Sequence, residues 1–378
     1  MRRLNRIFWL GTKELRAVLS DVSMVVMILA AFSFMILLDG SEDSGKGGGD
    51  TTNMTIAIID EDNSALSRAI ADGFLQPDFK APIFITNHEI APGLDEGKFM
   101  FALSLPAGFE ADLQRGRLVE LLLTIDATRA SIVSDGATII SLVLETEVTR
   151  FLTRSDLDDD SGATLVTRLA FNPTSDGSWT GPISSLLNYL SMLTILLTGA
   201  ALLRERERGT IEHLMVMPVT SFDIAMAKIW ANGLILITSF TLSLALVVQG
   251  IMAVPVAGSV PLLLLGTALF IFATAAIGIM LATMARSMAQ FAMLFMLIYL
   301  PIMQLSGGAS PVENQPEILQ KITWYLPSRH YLDFANAVVF RAAEADVVWP
   351  QLVTIAGLGS VFLIIGLSLF RRSIEASG

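Results

Sequence analysis

Charged side chains of alternating sign stand together from Arg204 to Arg208, in a segment (203–218) that follows one apolar run and precedes another. Such side chains are costly in hydrocarbon, so this segment must lie in water or against a protein surface. The chemistry that these residues offer is ion pairing and hydrogen bonding to a partner. The segment is therefore the first candidate for a functional contact.

A short helix is predicted directly after this charged run. Gly209 permits a sharp bend, Thr210 can cap the helix, and Glu212 complements the positive end of its dipole. Pro218 ends it. Three apolar side chains share one face at spacings i, i+3 and i+4: Ile211, Leu214 and Met215. Because so short a helix is unstable alone, it is either a solvated loop or a helix that docks in a groove of another protein.

The usual signatures of an active site or a metal site are absent from the sequence. There is no cysteine, and His88, His213 and His330 have no metal-ligand spacing. The run Gly40–Gly47 nearly matches a phosphate-binding loop, but Gly47 stands where a hydroxyl must hold magnesium. The sequence therefore predicts no catalytic residue, no metal site and no cofactor held by this chain.

The composition indicates a membrane protein. Of 378 residues, 53% are hydrophobic and 16% are charged, and the mean hydropathy is +0.61. The net charge of -11 is uneven, because residues 39–182 hold 10 basic and 24 acidic residues (-14) and the remainder carries +3. This acidic block argues against nucleic acid as a partner.

Six apolar runs are predicted to be transmembrane helices, since each is near the length of about 17 to 25 residues that a span requires. They are Val22–Leu38, Ile183–Leu203, Ile229–Ile251, Val260–Thr283, Met288–Ser306 and Gln351–Phe370. Basic residues mark one side of these runs: the N-terminal arginines, Arg204, Arg206, Arg208, Lys228, Arg286, Arg371 and Arg372. The positive-inside rule places that side and both termini in the cytoplasm, and block 39–182 outside.

Residues 1–21 are predicted to form a cytoplasmic interfacial helix, an elbow that precedes the first span. Its apolar side holds Leu4, Ile7, Phe8, Gly11, Leu15, Val18 and Leu19. Its opposite side holds Arg2, Arg3, Arg6, Lys13 and Arg16, which would face anionic headgroups.

Residues 39–182 alternate strand and helix patterns. Strands are predicted at Thr55–Ile59, Ile83–Thr86, Phe101–Leu105 and Leu118–Ile125, and helices at Ser64–Phe74, Gly108–Arg115 and Arg129–Leu152. The predicted fold class is a membrane α-helical protein with six transmembrane helices and an amphipathic elbow helix. A periplasmic α/β domain is inserted between the first and second transmembrane helices.

The predicted spans contain no mid-span Asp, Glu, Lys or Arg, so they lack the groups that couple transport to ions. Candidates for a translocation path are Asn188, Thr194, Thr198 and Gln304, which either contact substrate or hydrogen-bond a neighbouring helix. Any energy for uphill transport must then come from outside the spans.

The external loop 307–350 contains two predicted helices, Ile318–Tyr325 and Tyr331–Arg341, both too short to span. We interpret them as re-entrant or interfacial helices. Arg329 and His330 between them are a gate for a pathway or an anchor at headgroup level.

At the charged segment the chain resembles ABC-2 type exporter permeases. Their coupling segment reads approximately E-R-E-x-G-T-x-E-x-L-x-x-x-P, and this pattern is matched by Glu205–Pro218, with Ala227-Lys228 at the next span. Ala227 departs from the Gly that many relatives carry. Further likeness to YhhJ-type inner-membrane transport permeases with a large periplasmic domain lies in Asp126–Arg129, Leu305–Gly308 and Pro327–Tyr331.

The resemblance implies a permease that works as a dimer of six-span halves on ATPase subunits, which bind the ATP and Mg. The residues that would serve ATPase coupling are Glu205, Arg206, Glu207, Gly209, Thr210, Glu212, Leu214 and Pro218. The resemblance also implies export of amphiphilic drugs, lipids or ions. A periplasmic membrane-fusion adaptor and an outer-membrane channel would receive them.

A second hypothesis comes from a different class of protein. The chain would be a membrane-anchored sensor or scaffold whose external domain binds a ligand. The two hypotheses differ in whether an ATPase subunit binds the chain and in whether residues 51–170 bind a ligand.

Overall fold

The structure, a computed structural model, describes residues 2–38, 54–74, 78–126, 130–154, 163–170, 177–207, 220–306, 312 and 315–375. The chain is predominantly helical and divides into two compact units. The first comprises Met1–Glu42, Gly181–Gly308 and Lys321–Gly378, and the second comprises Asp43–Thr180 and Ala309–Gln320.

The first unit begins with two helices that meet at a sharp bend. Helix α1 (Arg2–Ser20) and helix α2 (Val22–Leu38) differ in direction by 79°. Asp21 causes the break, because its carboxylate accepts the backbone N–H groups of Ser23 and Met24 and so caps α2. A hydrogen bond from the Ser23 hydroxyl also lowers the pKa of Asp21 below its ordinary value.

Five further helices of the described chain are long and apolar enough to span a membrane. They are α7 (Gly177–Glu207), α8 (Ser221–Ile251), α9 (Val260–Met284), α10 (Met288–Leu305) and α13 (Ala345–Glu375). The bent pair α1 and α2 makes a sixth if it is counted as one span. The predicted helical character is confirmed, and the exact number of spans stays a prediction.

Three of these helices begin before the predicted apolar runs. Helices α7, α8 and α13 start at Gly177, Ser221 and Ala345, whereas the runs begin at Ile183, Ile229 and Gln351. Pro182 is the sixth residue of α7 and Pro350 is the sixth residue of α13, so each lies just beyond the first turn and removes one intrahelical N–H bond.

Helix α9 is the centre of the first unit, and its small residues let other helices approach closely. A Cβ on Gly278 would lie 2.7 Å from the Ile195 carbonyl oxygen of α7, and one on Gly359 of α13 would lie 2.8 Å from the Ala273 Cα. The small residues of α9 therefore let α7 and α13 pack closely against it.

Helices α2 and α8 each contain a π-helical segment, Ala30–Met35 and Leu244–Ile251. The Ser243 hydroxyl donates to the Phe32 carbonyl, so one π segment is joined to the start of the other. This hydrogen bond therefore links α2 to α8 at their π-helical segments.

The short helices after α10 are α11 (Glu317–Thr323) and α12 (Pro327–Arg341). Helix α12 packs on α9, where the Tyr331 hydroxyl lies 2.7 Å from the Thr267 hydroxyl and the Tyr331 ring stacks on Phe270 at 4.0 Å. A Cβ on Gly258 would lie 2.1 Å from the Val338 carbonyl oxygen. Helix α12 is thus a buried part of the first unit.

The second unit contains a five-stranded mixed sheet in the order β2-β1-β3-β4-β5. Its strands are β1 (Ile56–Asp60), β2 (Ile83–Phe84), β3 (Phe101–Leu105), β4 (Val119–Asp126) and β5 (Ala163–Ala170). Its helices are α3 (Ala65–Gly73), α4 (Ile90–Asp95), α5 (Phe109–Gln114) and α6 (Ala130–Arg154). Only the β3–β4 pair is antiparallel among these strands.

Strand β5 was not expected from the sequence. It pairs in parallel with β4 from Val119–Ala163 to Asp126–Ala170, at one edge of the described sheet. Its described side chains are mostly exposed, so it lacks the apolar run that identifies an interior strand. Long helix α6 packs over the sheet, where a Cβ on Gly136 would lie 2.3 Å from the Phe101 ring.

Candidate functional site

The charged run predicted to couple the chain to a partner lies at the C-terminal end of α7. Glu205, Arg206 and Glu207 belong to this helix and are described by the structure. The remaining predicted coupling residues lie outside the described residues: Gly209, Thr210, Glu212, Leu214 and Pro218. The candidate site is therefore built from the three residues that lead into the predicted coupling helix.

A buried lysine organises the contacts of Glu205. Lys228 of α8 is 1% exposed, and its Nζ lies 2.8 Å from Glu205 Oε2 and 3.1 Å from Glu14 Oε1. It also donates a hydrogen bond to the Ala201 carbonyl at 3.4 Å. A buried ammonium requires such partners, because an unpaired charge away from water is strongly destabilising. These pairs join α1, α7 and α8 at one point.

Two carboxyl groups share this lysine. Burial raises the pKa of Glu14 above its ordinary value, the Lys228 ammonium opposes this, and the Glu205 carboxylate adds to it. A hydrogen bond with Glu205 acts in the same direction, because it favours the protonated form of Glu14 and so raises its pKa. Lys13, whose side chain is 56% exposed, contributes a second cation with its Nζ 3.3 Å from Glu205 Oε1. Glu14 is therefore the carboxyl that more readily takes up a proton.

The next two residues of α7 reach the junction between α9 and α10. Arg206 Nη1 donates to the Ala285 carbonyl at 3.1 Å, and Glu207 Oε1 accepts the Met288 N–H at 2.9 Å. Ala285 ends α9 and Met288 begins α10, so both groups lack intrahelical partners. Glu207 also complements the positive end of the α10 dipole. The end of α7 thus holds the ends of two more helices.

Helix α1 is fixed to α8 by an aromatic contact close to Lys228. The Trp230 indole N–H donates to the Ile7 carbonyl at 3.0 Å, and its ring stacks on Phe8 at 5.6 Å. The absence of a side chain at Gly11 permits this close approach of the Trp230 ring to α1, since a Cβ there would lie 2.1 Å from Trp230 Nε1. Because α1 is fixed to α8, a movement of the C-terminal end of α7 would also displace α1.

Helix α8 has a defined start close behind the predicted coupling segment. The Thr220 hydroxyl accepts the Asp223 N–H, and the Asp223 carboxylate accepts the Thr220 N–H, which makes a capping box. Segment 208–219 is therefore bounded by the end of α7 and by this cap.

The candidate path residues are not joined to one another by the described contacts. The Thr194 hydroxyl donates to the Leu190 carbonyl of its own helix at 2.6 Å, and the Asn188 carbonyl accepts the Tyr299 hydroxyl at 3.2 Å. Thr198 is fully buried, whereas Gln304 is exposed. Their role in a translocation path stays a prediction.

Arg329 and His330 connect the start of α12 to the end of α11. Arg329 Nη1 lies 3.3 Å from the Thr323 hydroxyl, and a His330 ring nitrogen lies 2.7 Å from the Trp324 carbonyl. These contacts hold the start of α12 to the end of α11, and the role of Arg329 and His330 as a gate or as a headgroup anchor stays a prediction.

Sequence reasoning identified Lys228 and Glu205 through the pattern but missed Glu14 and Trp230. Glu14 is the one acidic residue in α1, which otherwise carries five basic residues. This single acidic residue in a basic helix was the sequence signal that could have identified the contact with Lys228. The described contacts of Glu205 and Glu207 lie within this chain, and their role in ATPase coupling stays a prediction. No cluster of metal-binding side chains occurs among the residues that the structure describes.

Comparison with known proteins gives a match over nearly the whole chain. The family of ABC-2 family transporter proteins matches residues 20–368. The chain is 41% identical over 375 residues to the inner membrane transport permease YhhJ of Escherichia coli, with 99% of each chain covered. It is 27% identical to the probable multidrug ABC transporter permease YbhR of Escherichia coli, with 98% of this chain and 99% of that protein covered.

Proposed function

The chain belongs to the ABC-2 family of transporter proteins, and we propose that it is the permease of an ATP-driven exporter. It is a subunit of the inner membrane with several membrane-spanning helices. In this proposal a separate ATPase subunit hydrolyses ATP and binds the segment after Glu207. Both termini and this segment lie in the cytoplasm, and the sheet-containing unit lies in the periplasm.

The observation that carries the proposal is the set of contacts made by Glu205, Arg206 and Glu207. These consecutive residues bind α1 and α8, the end of α9, and the start of α10. A force applied to the segment directly after them would act on four helices at once. Because Lys228 is buried between its carboxyl partners, the junction transmits displacement with little independent side-chain motion.

The proposed substrates are amphiphilic drugs, lipids or similar small molecules. The described spans hold few charged side chains, and one relative bears the name of a multidrug ABC transporter permease, which supports an apolar or amphiphilic cargo. A periplasmic adaptor and an outer-membrane channel would carry the cargo onward.

A second permease half is part of the proposal. Helix α10 exposes an apolar stripe at i, i+3, i+4 and i+7, formed by Met293, Met296, Leu297 and Leu300. A second copy or a related half can cover such a stripe, as can lipid. We propose a dimer in which this face borders the path between the halves.

The test compares Glu207→Ala with the wild type in vesicles that contain the chain and its ATPase subunit. The variant removes the bond to the Met288 N–H without touching an apolar core, so insertion and ATP hydrolysis are expected to persist while export falls. Gly209→Pro should give the same result. Glu120→Ala, an exposed strand residue with the same charge change, is the matched control.

Normal export by both variants would contradict the coupling role. If no ATPase subunit binds the chain and its sheet-containing unit binds a ligand instead, the chain is a sensor or scaffold. Vesicle export and subunit binding are measured separately, so the two outcomes are distinguishable.

A further inference from the structure

An open cavity of 580 Å³ lies between α1 and α8. It is lined by Leu4, Asn5, Ile7, Phe8 and Trp230, so its wall is apolar except for one amide. It is shallow and open along most of its surface, so it suits an elongated apolar group that lies along it. Cavity size and lining suit a hydrocarbon chain.

The surface around the cavity is apolar and exposed. Leu4 is 75% exposed, Phe8 55% and Trp9 64%. These residues belong to an amphipathic helix that meets an apolar helix at 79°, which is the arrangement expected of a helix in the membrane interface. Tryptophan and exposed apolar side chains at that level contact lipid. The cavity therefore opens toward acyl chains.

The same helix is strongly basic. It carries Arg2, Arg3, Arg6, Lys13 and Arg16 against the single acid Glu14, a net charge of +4. The Arg6 Nε is buried and has no hydrogen-bond partner among the described residues. Arg2 and Arg3 directly precede the first cavity residue in the sequence. A phosphate-bearing headgroup supplies the complementary charge.

We propose that this cavity binds an anionic phospholipid, with an acyl chain against Phe8 and Trp230 and the headgroup attracted by the net positive charge of α1. The inference goes beyond transport, although it rests on the membrane-interface position of α1. Trp230 is two residues from Lys228 and is hydrogen-bonded to Ile7. A bound lipid therefore stabilises the docking of α1 on which the Glu14–Lys228 pair depends.

The experiment is native mass spectrometry of the purified full chain, loaded with phosphatidylglycerol or phosphatidylcholine of identical acyl chains. The wild type should retain phosphatidylglycerol preferentially. Arg2→Gln/Arg3→Gln should weaken this retention by about tenfold or more, since each basic residue near an anionic surface contributes about 1 kcal/mol. Asn5→Trp, which fills the cavity, should reduce the retention of both lipids.

Arg115→Gln/Arg117→Gln is the matched control, because it removes the same charge from exposed positions of the other unit. Equal retention of the two lipids by the wild type would overturn the proposal. So would undiminished retention in the Arg2/Arg3 variant, whatever the folding of Asn5→Trp. A cavity occupied by a segment of a partner protein would show as absent lipid and as subunit binding lost in Asn5→Trp. Because lipid retention needs no ATP, failure here is separate from failure of the export proposal.

Discussion

Lys228 is the residue on which the junction depends. It is buried against two carboxyl groups, so its loss leaves Glu14 and Glu205 facing each other without a cation between them. Lys13 cannot replace it, because its ammonium lies at the exposed side of Glu205. The contacts of Lys228 with Glu14 and Glu205 are therefore needed to hold α1, α7 and α8 in this arrangement.

Lys228→Met should lower the free energy of unfolding by about 3 to 5 kcal/mol, the usual cost of removing one partner of a buried ion pair. Thermal unfolding of the purified chain measures this. Glu14→Gln is the control, since the amide still donates to Glu205 and accepts from Lys228. The triple variant Glu14→Gln/Glu205→Gln/Lys228→Met should recover part of the loss. A single Lys228→Met variant as stable as the wild type would show that the ion pairs do not hold the junction.

Gly11 offers a second test at the residue scale. Gly11→Ala places a Cβ against the Trp230 ring, so hydrogen exchange of the α1 amides should become faster. Gly357→Ala is the matched control, because nothing lies within 4 Å of a Cβ there. Alanine is the better helix former by about 1 kcal/mol, so the control should be neutral or stabilising. Unchanged exchange in Gly11→Ala would contradict the docking of α1 through Trp230.

At the scale of elements, the two π-helical segments are joined by one side-chain hydrogen bond. Ser243→Ala removes the partner of the Phe32 carbonyl, at a cost of about 1 kcal/mol. Amides of residues 30–36 should exchange faster, while Ser360→Ala, which loses only a bond within its own helix, should not affect them. Equal exchange in both variants would show that the contact between α2 and α8 carries no stability.

The sequence predicted the elements much better than the contacts between them. Apolar length identified the long helices, and short apolar runs identified strands such as β1 and β3, because these signals are local. The apolar runs begin later than α7, α8 and α13, because the first residues of these helices are less apolar than the rest. Strand β5 was not predicted, because an edge strand with exposed side chains has no apolar run. The Lys228–Glu14 pair joins residues far apart in sequence, so no periodicity could indicate it.

At the scale of the whole molecule, the proposal requires that the segment after Glu207 and the sheet-containing unit lie on opposite sides of the membrane. The chain has no cysteine, so single cysteines can report sidedness without background. Glu212 represents the predicted coupling helix. Asp72, an exposed residue of α3, represents the other unit.

The most direct measurement is labelling of Glu212→Cys by a membrane-impermeant maleimide, with Asp72→Cys as the reference, in inverted and right-side-out vesicles. We expect Glu212→Cys to react only in inverted vesicles and to be protected when the ATPase subunit is added, and Asp72→Cys to react only in right-side-out vesicles. Two results would contradict the claim that an ATPase subunit drives this permease through the segment after Glu207. They are reaction of Glu212→Cys in right-side-out vesicles, and labelling that the ATPase subunit leaves unchanged.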